Sequence, residues 1–138
     1  MTNTHNSKKI ALVSGANRGI GLAIVRGLAQ KNITVLIGSR DINNGLVAAA
    51  ELLKEGLDVR AVQLDVTDDE SIWALCGLIQ REYGRLDILV NNAGIAVDYV
   101  ADFSIVEKIE KTFKLNVLGT MRLTDAVIPL LEEADHAN

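Results

Sequence analysis

The apolar run Ile10-Ala11-Leu12-Val13 breaks directly into Ser14-Gly15-Ala16-Asn17-Arg18-Gly19-Ile20-Gly21, after which a helical pattern begins. A buried strand that stops in glycines and restarts as a helix forms a cradle for a pyrophosphate. Gly15 permits the tight turn, Gly19 lets backbone approach a phosphate, and Gly21 lets the helix pack closely on the strand. The new helix offers its first N–H groups and a partial positive charge to the anion. This junction restricts the chain to an α/β architecture in which the strand is central and the turn faces a ligand.

The rest of the sequence continues the same alternation. Strands are predicted at Lys9–Ser14, Thr34–Ser39, Val59–Gln63 and Leu86–Asn91, each apolar enough to be covered on both faces. Helices are predicted at Gly19–Lys31, Asp41–Glu55 and Asp68–Tyr83, with Asp41 as an N-cap and Gly56 and Gly84 as C-cap glycines. Thr67 and Glu70 have capping-box spacing, and Ile72, Leu75, Cys76 and Ile79 form a core-facing stripe. A βαβαβαβ series predicts a doubly wound parallel sheet, of Rossmann type and strand order 3-2-1-4, with right-handed crossovers.

Two more helices are expected, from about Ser104 to Lys114 and from Asn116 to Glu133. The last is apolar on two sides. Val117, Met121, Ile128 and Leu131 are expected to face the sheet. Leu123, Val127 and Leu130 suggest a homo-oligomer contact or, alternatively, a broader core contact within one chain. Pro129 is expected to bend this helix near its end.

The 138 residues read as a single domain, and 49% hydrophobic residues suffice for a core that buries roughly 68% of the unfolded surface. A net charge of −4 argues against nucleic acid or an anionic membrane as partner. No apolar run approaches a membrane span, and Met1–Lys9 lacks a signal-peptide core. One cysteine, Cys76, excludes an internal disulfide and suits the cytoplasm; it reads as a core residue. No metal site is expected.

Beyond the glycines, the second strand ends in Gly38-Ser39-Arg40-Asp41, where a dinucleotide fold meets the adenosine ribose. A carboxylate there would bind both ribose hydroxyls. Arg40 offers a planar cation suited to a 2′-phosphate, and Arg18 adds a second, so NADP(H) is preferred with NAD(H) possible. Asp65 follows the third strand at the ligand edge of the sheet. It suits an adenine amino group or an ordinary turn equally well. Asn91-Asn92-Ala93-Gly94 ends the fourth strand with amides that satisfy backbone and a glycine that leaves a smooth floor.

These residues together resemble the N-terminal half of the short-chain dehydrogenase/reductase family, in its carbonyl-reductase-like, NADP(H)-preferring branch. Ser14 through Gly21 match Thr-Gly-x-x-x-Gly-Ile-Gly, with Ser14 for the usual Thr. Asp65-Val66, Asn91-Asn92-Ala93-Gly94 behind Leu86-Asp87, and Asn116-Val117 follow in family order. The resemblance implies that Gly15, Asn17, Arg18, Gly19, Ile20, Gly21, Arg40, Asp65, Val66, Asn92, Ala93 and Gly94 bind the cofactor. It implies that Asn116 is catalytic, on a helix opened locally to hold a water in a proton relay. The implied reaction is hydride transfer between NADP(H) and a carbonyl or alcohol substrate.

The family also needs a tyrosine four residues before a lysine. Asp87 lies four beyond Tyr83 and Phe103 four beyond Tyr99, so both tyrosines read as structural. The chain alone is therefore expected to be inactive and incomplete at its C-terminus, a natural short form or a piece of a longer protein. Its fourth strand would be an apolar edge that invites self-association. The alternative is a non-catalytic cofactor-binding or oligomerisation module.

Overall fold

The computed structural model describes residues 8–94 and 102–134. Four parallel strands, β1 (Ile10–Val13), β2 (Thr34–Ser39), β3 (Val59–Gln63) and β4 (Ile88–Val90), form one sheet in the order β3-β2-β1-β4. Helices α1 (Gly19–Ala29), α2 (Ile42–Lys54) and α3 (Asp69–Glu82) make the crossovers. After β4 come α4 (Ile105–Thr112), a π-helical segment (Phe113–Gly119) and α5 (Thr120–Glu132), in unbroken succession. The expected architecture and strand order are observed.

Each strand feeds two cores. Ile10, Leu12 and Leu36 pack on one face with Ile72, Leu75 and Ile79 of α3 and Leu123, Val127 and Leu130 of α5. Ala11, Val13, Val35 and Ile37 pack on the other with Val25 of α1 and Ala49 and Leu52 of α2. The side-chain alternation of a strand thus serves two layers of helix. β1 and β2 lie wholly buried, which is why both read as continuous apolar runs.

Several details differ from expectation. β4 is shorter than Leu86–Asn91 because its flanks bond elsewhere. The Leu86 N–H donates to the Leu130 carbonyl (3.0 Å), and beyond Val90 the Asn92 and Ala93 N–H groups donate to the Ser14 hydroxyl (both 2.9 Å). β4 does lie at the sheet edge, where its residues are half-buried. The cap of α3 is Asp68, whose side chain accepts from the Glu70 N–H (3.0 Å). Thr67 is not the cap; its hydroxyl donates to Asp65 Oδ1 (2.7 Å).

The two stripes of the last helix are exchanged. Leu123, Val127 and Leu130 are buried, and they carry the sheet contact. Val117, Met121 and Ile128 are exposed, whereas Leu131 packs against the core. Pro129 lies inside α5, near its C-terminal end. Cys76 is half-buried against the core; its thiol donates to the Ala126 carbonyl, and burial pushes its pKa up. Tyr83 is the C-cap residue of α3 and packs on the same core; Tyr99 lies outside the described residues. No helix among the described residues is long and apolar enough to cross a membrane, and no cluster of metal-ligating side chains occurs among them.

Candidate cofactor groove

The chain runs outward from β1 through β2 to β3, then returns to place β4 on the far side of β1. Crossovers leave in opposite directions from this pair, so a crevice opens at its carboxyl end. The β1–α1 turn fills the base of that crevice. Gly15 takes φ +58°, and a Cβ there would stand 2.8 Å from Ala93 Cα. Gly21 is buried, and a Cβ on it would stand 2.4 Å from Asn92 Nδ2 and 2.7 Å from the Gly15 carbonyl oxygen. The turn and the end of β4 are therefore in backbone contact.

Ser14 ties them together. Its buried hydroxyl accepts from the N–H groups of Asn92 and Ala93, both at 2.9 Å. Asn92 returns a bond from Nδ2 to the Gly15 carbonyl at 2.9 Å. The Asn-Asn-Ala-Gly sequence thus satisfies buried backbone, and Ser14 makes the local bond expected of the threonine it replaces.

The start of α1 is left open. Asp41 caps α2, Asp68 caps α3 and Ser104 caps α4 with a complete capping box, but Arg18 at the head of α1 makes no side-chain cap bond. No acidic residue lies in the first turn of α1. Above Gly19, at φ +59°, a Cβ would meet nothing within 4 Å. Exposed helix donors with free space over a glycine suit an anionic oxygen.

A groove of about 690 Å³ lies over this turn. Gly15, Asn17, Arg18, Gly19, Arg40, Asp65, Val66, Asn92, Ala93 and Gly94 all line it, as the motifs imply. Ile20 does not; it is 76% exposed to solvent. Gly21 lies beneath the groove, in the contact with Asn92 described above. Asn116 is half-buried on the π-helical segment, with Oδ1 3.2 Å from where a Cβ on Gly94 would stand. Its segment is π-helical, with a backbone bonding register wider than that of an α-helix. Gly119 anchors that segment, since a Cβ there would approach Val66 Cγ2 to 2.6 Å.

Asp65 makes the turn it was suited to, its Oδ1 accepting from the Thr67 N–H (2.9 Å) and hydroxyl. Asp41 is the N-cap foreseen, accepting from the Asn43 N–H at 2.9 Å. Motif reasoning missed Ser39, Asn44, Thr67, Lys111, Lys114 and Leu115, which also line the groove. Ser39 and Asn44 could have been found from their proximity to Arg40 in sequence; the two lysines carry no such signal.

A doubly wound parallel sheet with a glycine turn and an uncapped helix at its switch point defines a Rossmann-type α/β fold. The sequence comparisons narrow that class. Residues 9–138 match the family model described as short chain dehydrogenase, and the chain belongs to that family. It is 43% identical over 130 residues to carbonyl reductase (NADPH) 1 of Sus scrofa, covering 92% of this chain and 44% of that protein. To the Homo sapiens protein of the same name it is 43% identical over 124 residues, covering 89% and 45%. Among solved structures, menthone neomenthol reductase from Mentha piperita superposes with TM-score 0.85 at 36% identity, over 94% of this chain and 58% of that one. Salutaridine reductase from Papaver somniferum gives 0.82 at 30% identity, over 93% and 54%. The chain spans about half the length of the relatives it matches.

Proposed function

We propose that this chain is the NADP(H)-binding half of an oxidoreductase that passes hydride between NADP(H) and a carbonyl or alcohol substrate. The observation that carries the reading is the uncapped α1 N-terminus beneath a groove into which Arg18 and Arg40 both project. Neither arginine enters a salt bridge among the described residues. The relatives named as NADPH carbonyl reductases support the same preference. NAD(H) fits the groove too, without a charge for these arginines to meet.

In this reading the N–H groups of α1 and the Gly15–Gly21 turn hold the pyrophosphate. Arg18 and Arg40 take the 2′-phosphate. Asp65 and Val66 border the adenine, and Asn92, Ala93 and Gly94 form the floor beneath the ribose. When bound, the cofactor supplies the hydride. Asn116 is the catalytic asparagine of the family pattern: its amide, set against Gly94 at the opened helical turn, holds a water that moves the substrate's proton. The residue that exchanges that proton directly is the tyrosine of a Tyr-x-x-x-Lys pair, which these 138 residues do not contain. We therefore expect the chain to bind cofactor without turnover.

A second reading is favoured by the apolar line Ile105, Ile109, Phe113, Val117, Met121 and Ile128, all exposed. This line makes the α4–α5 face an assembly surface, so the chain serves as a homo-oligomerisation module as well as a nucleotide holder. The single cysteine among these 138 residues suits a reducing compartment, and we place the protein in the cytoplasm.

Isothermal titration of the purified chain with NADPH and with NADH tests the first reading. Saturable binding with NADPH the tighter ligand is expected. Tighter NADH binding would overturn the preference, and oxidation of NADPH in the presence of a carbonyl substrate would overturn the expected inactivity. Sedimentation velocity tests the second reading, which a monodisperse monomer at high concentration would refute.

A further inference from the structure

The groove is more cationic than the glycine turn and the two arginines account for. Lys111 and Lys114 enter it from the opposite side, at the end of α4 and within the π-helical segment. Both are exposed, and neither forms a salt bridge among the described residues. The Lys111 ammonium stands 4.8 Å from the centre of the Phe103 ring, which positions it without neutralising it. Asp41 and Asp65 also line the groove, turned to the Asn43 and Thr67 N–H groups, so four cations face two carboxylates and the lining remains net positive. Four cations gathered around one cavity repel one another until an anion arrives.

Their place along the helix says which part of a ligand they meet. Gly119 rests on Val66, beside Asp65. Lys111 lies eight residues earlier, roughly two turns along nearly the same face, with Leu115 between them. Lys111 and Lys114 thus line the groove from the helix that rests on the loop after β3, and the end of β3 is joined to Arg40 by the Gln63 side chain, which donates to the Arg40 carbonyl at 3.2 Å.

We infer that Lys111 and Lys114 form a second cationic wall that recognises the phosphate on the adenosine end of the bound dinucleotide. The inference rests on the NADP(H) reading of the groove and adds a specificity element to it. Arg18 and Arg40 grip that phosphate from the side of the glycine turn. The lysines act across the groove as flexible, hydrated point charges. Their contribution is greatest for the ligand with the extra phosphate and falls as salt screens it.

The test compares wild type, Lys111→Gln/Lys114→Gln and Lys111→Arg/Lys114→Arg, each titrated with NADPH and NADH at low and high ionic strength. Circular dichroism checks that the exposed substitutions leave the fold intact. At low salt the glutamine pair should weaken NADPH binding roughly three- to tenfold and NADH binding less than about twofold. The difference should shrink in high salt, and the arginine pair should restore NADPH affinity. Unchanged NADPH affinity, or equal losses for both nucleotides, would overturn the inference while leaving the groove assignment standing. Wild type that binds neither nucleotide would overturn the assignment itself, and the lysine wall with it.

Discussion

Replacing Gly21 with alanine places a Cβ 2.4 Å from Asn92 Nδ2, 2.7 Å from the Gly15 carbonyl oxygen and 2.8 Å from Ala16 Cα. Two of these three neighbours are backbone, so no rotamer change relieves the contact. Either α1 lifts off the sheet or the Asn92 side chain leaves its bond to Gly15. Overpacking at such a site costs about 1–3 kcal/mol. Losing the Asn92–Gly15 bond adds about 1 kcal/mol. A total near 3 kcal/mol would lower the melting temperature by roughly 10 °C in a domain of this size. Gly27, in the same helix, supplies the control, because a Cβ there meets nothing within 4 Å. Gly27→Ala should be neutral or stabilising by up to about 1 kcal/mol through helix propensity. Urea unfolding followed by far-UV circular dichroism is the suitable assay, since the single Trp73 is 65% exposed and reports poorly on the core. Equal midpoints for wild type and Gly21→Ala, or equal losses for the two glycines, would refute the close-approach argument.

Ser14→Ala should cost about 2–4 kcal/mol in the same assay, because it strips the acceptor from two N–H groups at the end of β4, whereas Ser14→Thr should retain most of the stability. Arg40→Leu should weaken NADPH by about tenfold and leave NADH within about twofold, as measured by calorimetry. Glu82 is held below its usual value of 4.5 by its hydrogen bond from Arg60. Because the folded state lowers that pKa, the stabilisation is present above 4.5 and is lost as the pH falls below it. Glu82→Gln should flatten the acid limb of a stability–pH profile, and an unchanged limb would show that the exposed pair contributes nothing.

The parts of the fold that the sequence made legible are those where local chemistry leaves one solution. Gly15 and Gly21 sit where backbone meets backbone, so the start of α1 at Gly19 could be placed to the residue, while β1 is one residue shorter at each end than Lys9–Ser14. β2 and β3 have the expected bounds, but only β2 is wholly buried; Arg60 and Gln63 leave β3 partly exposed, so it is not covered on both faces as expected. β4 is shorter than its apolar run because bonds to Leu130 and Ser14, both distant in sequence, decide its ends. Periodicity revealed two apolar stripes on the last helix, but both are apolar, and only packing decides which meets the sheet. Thr67 and Asp68 are adjacent and both competent as caps, so a one-residue slip was invisible until Asp65 was seen to hold the Thr67 hydroxyl. Lys111 and Lys114 carry no local signal, because nothing in the sequence of a helix announces that its end will line a groove built by distant loops.

Chemical-shift mapping of the isotopically labelled chain during NADPH titration tests the dinucleotide groove most directly. Saturable shifts are expected at Gly15, Gly19, Arg40, Val66 and Gly94, with little change on the outer faces of α2 and α3. Shifts absent from the glycine turn at saturating nucleotide, or confined to the apolar α4–α5 face, would contradict the account.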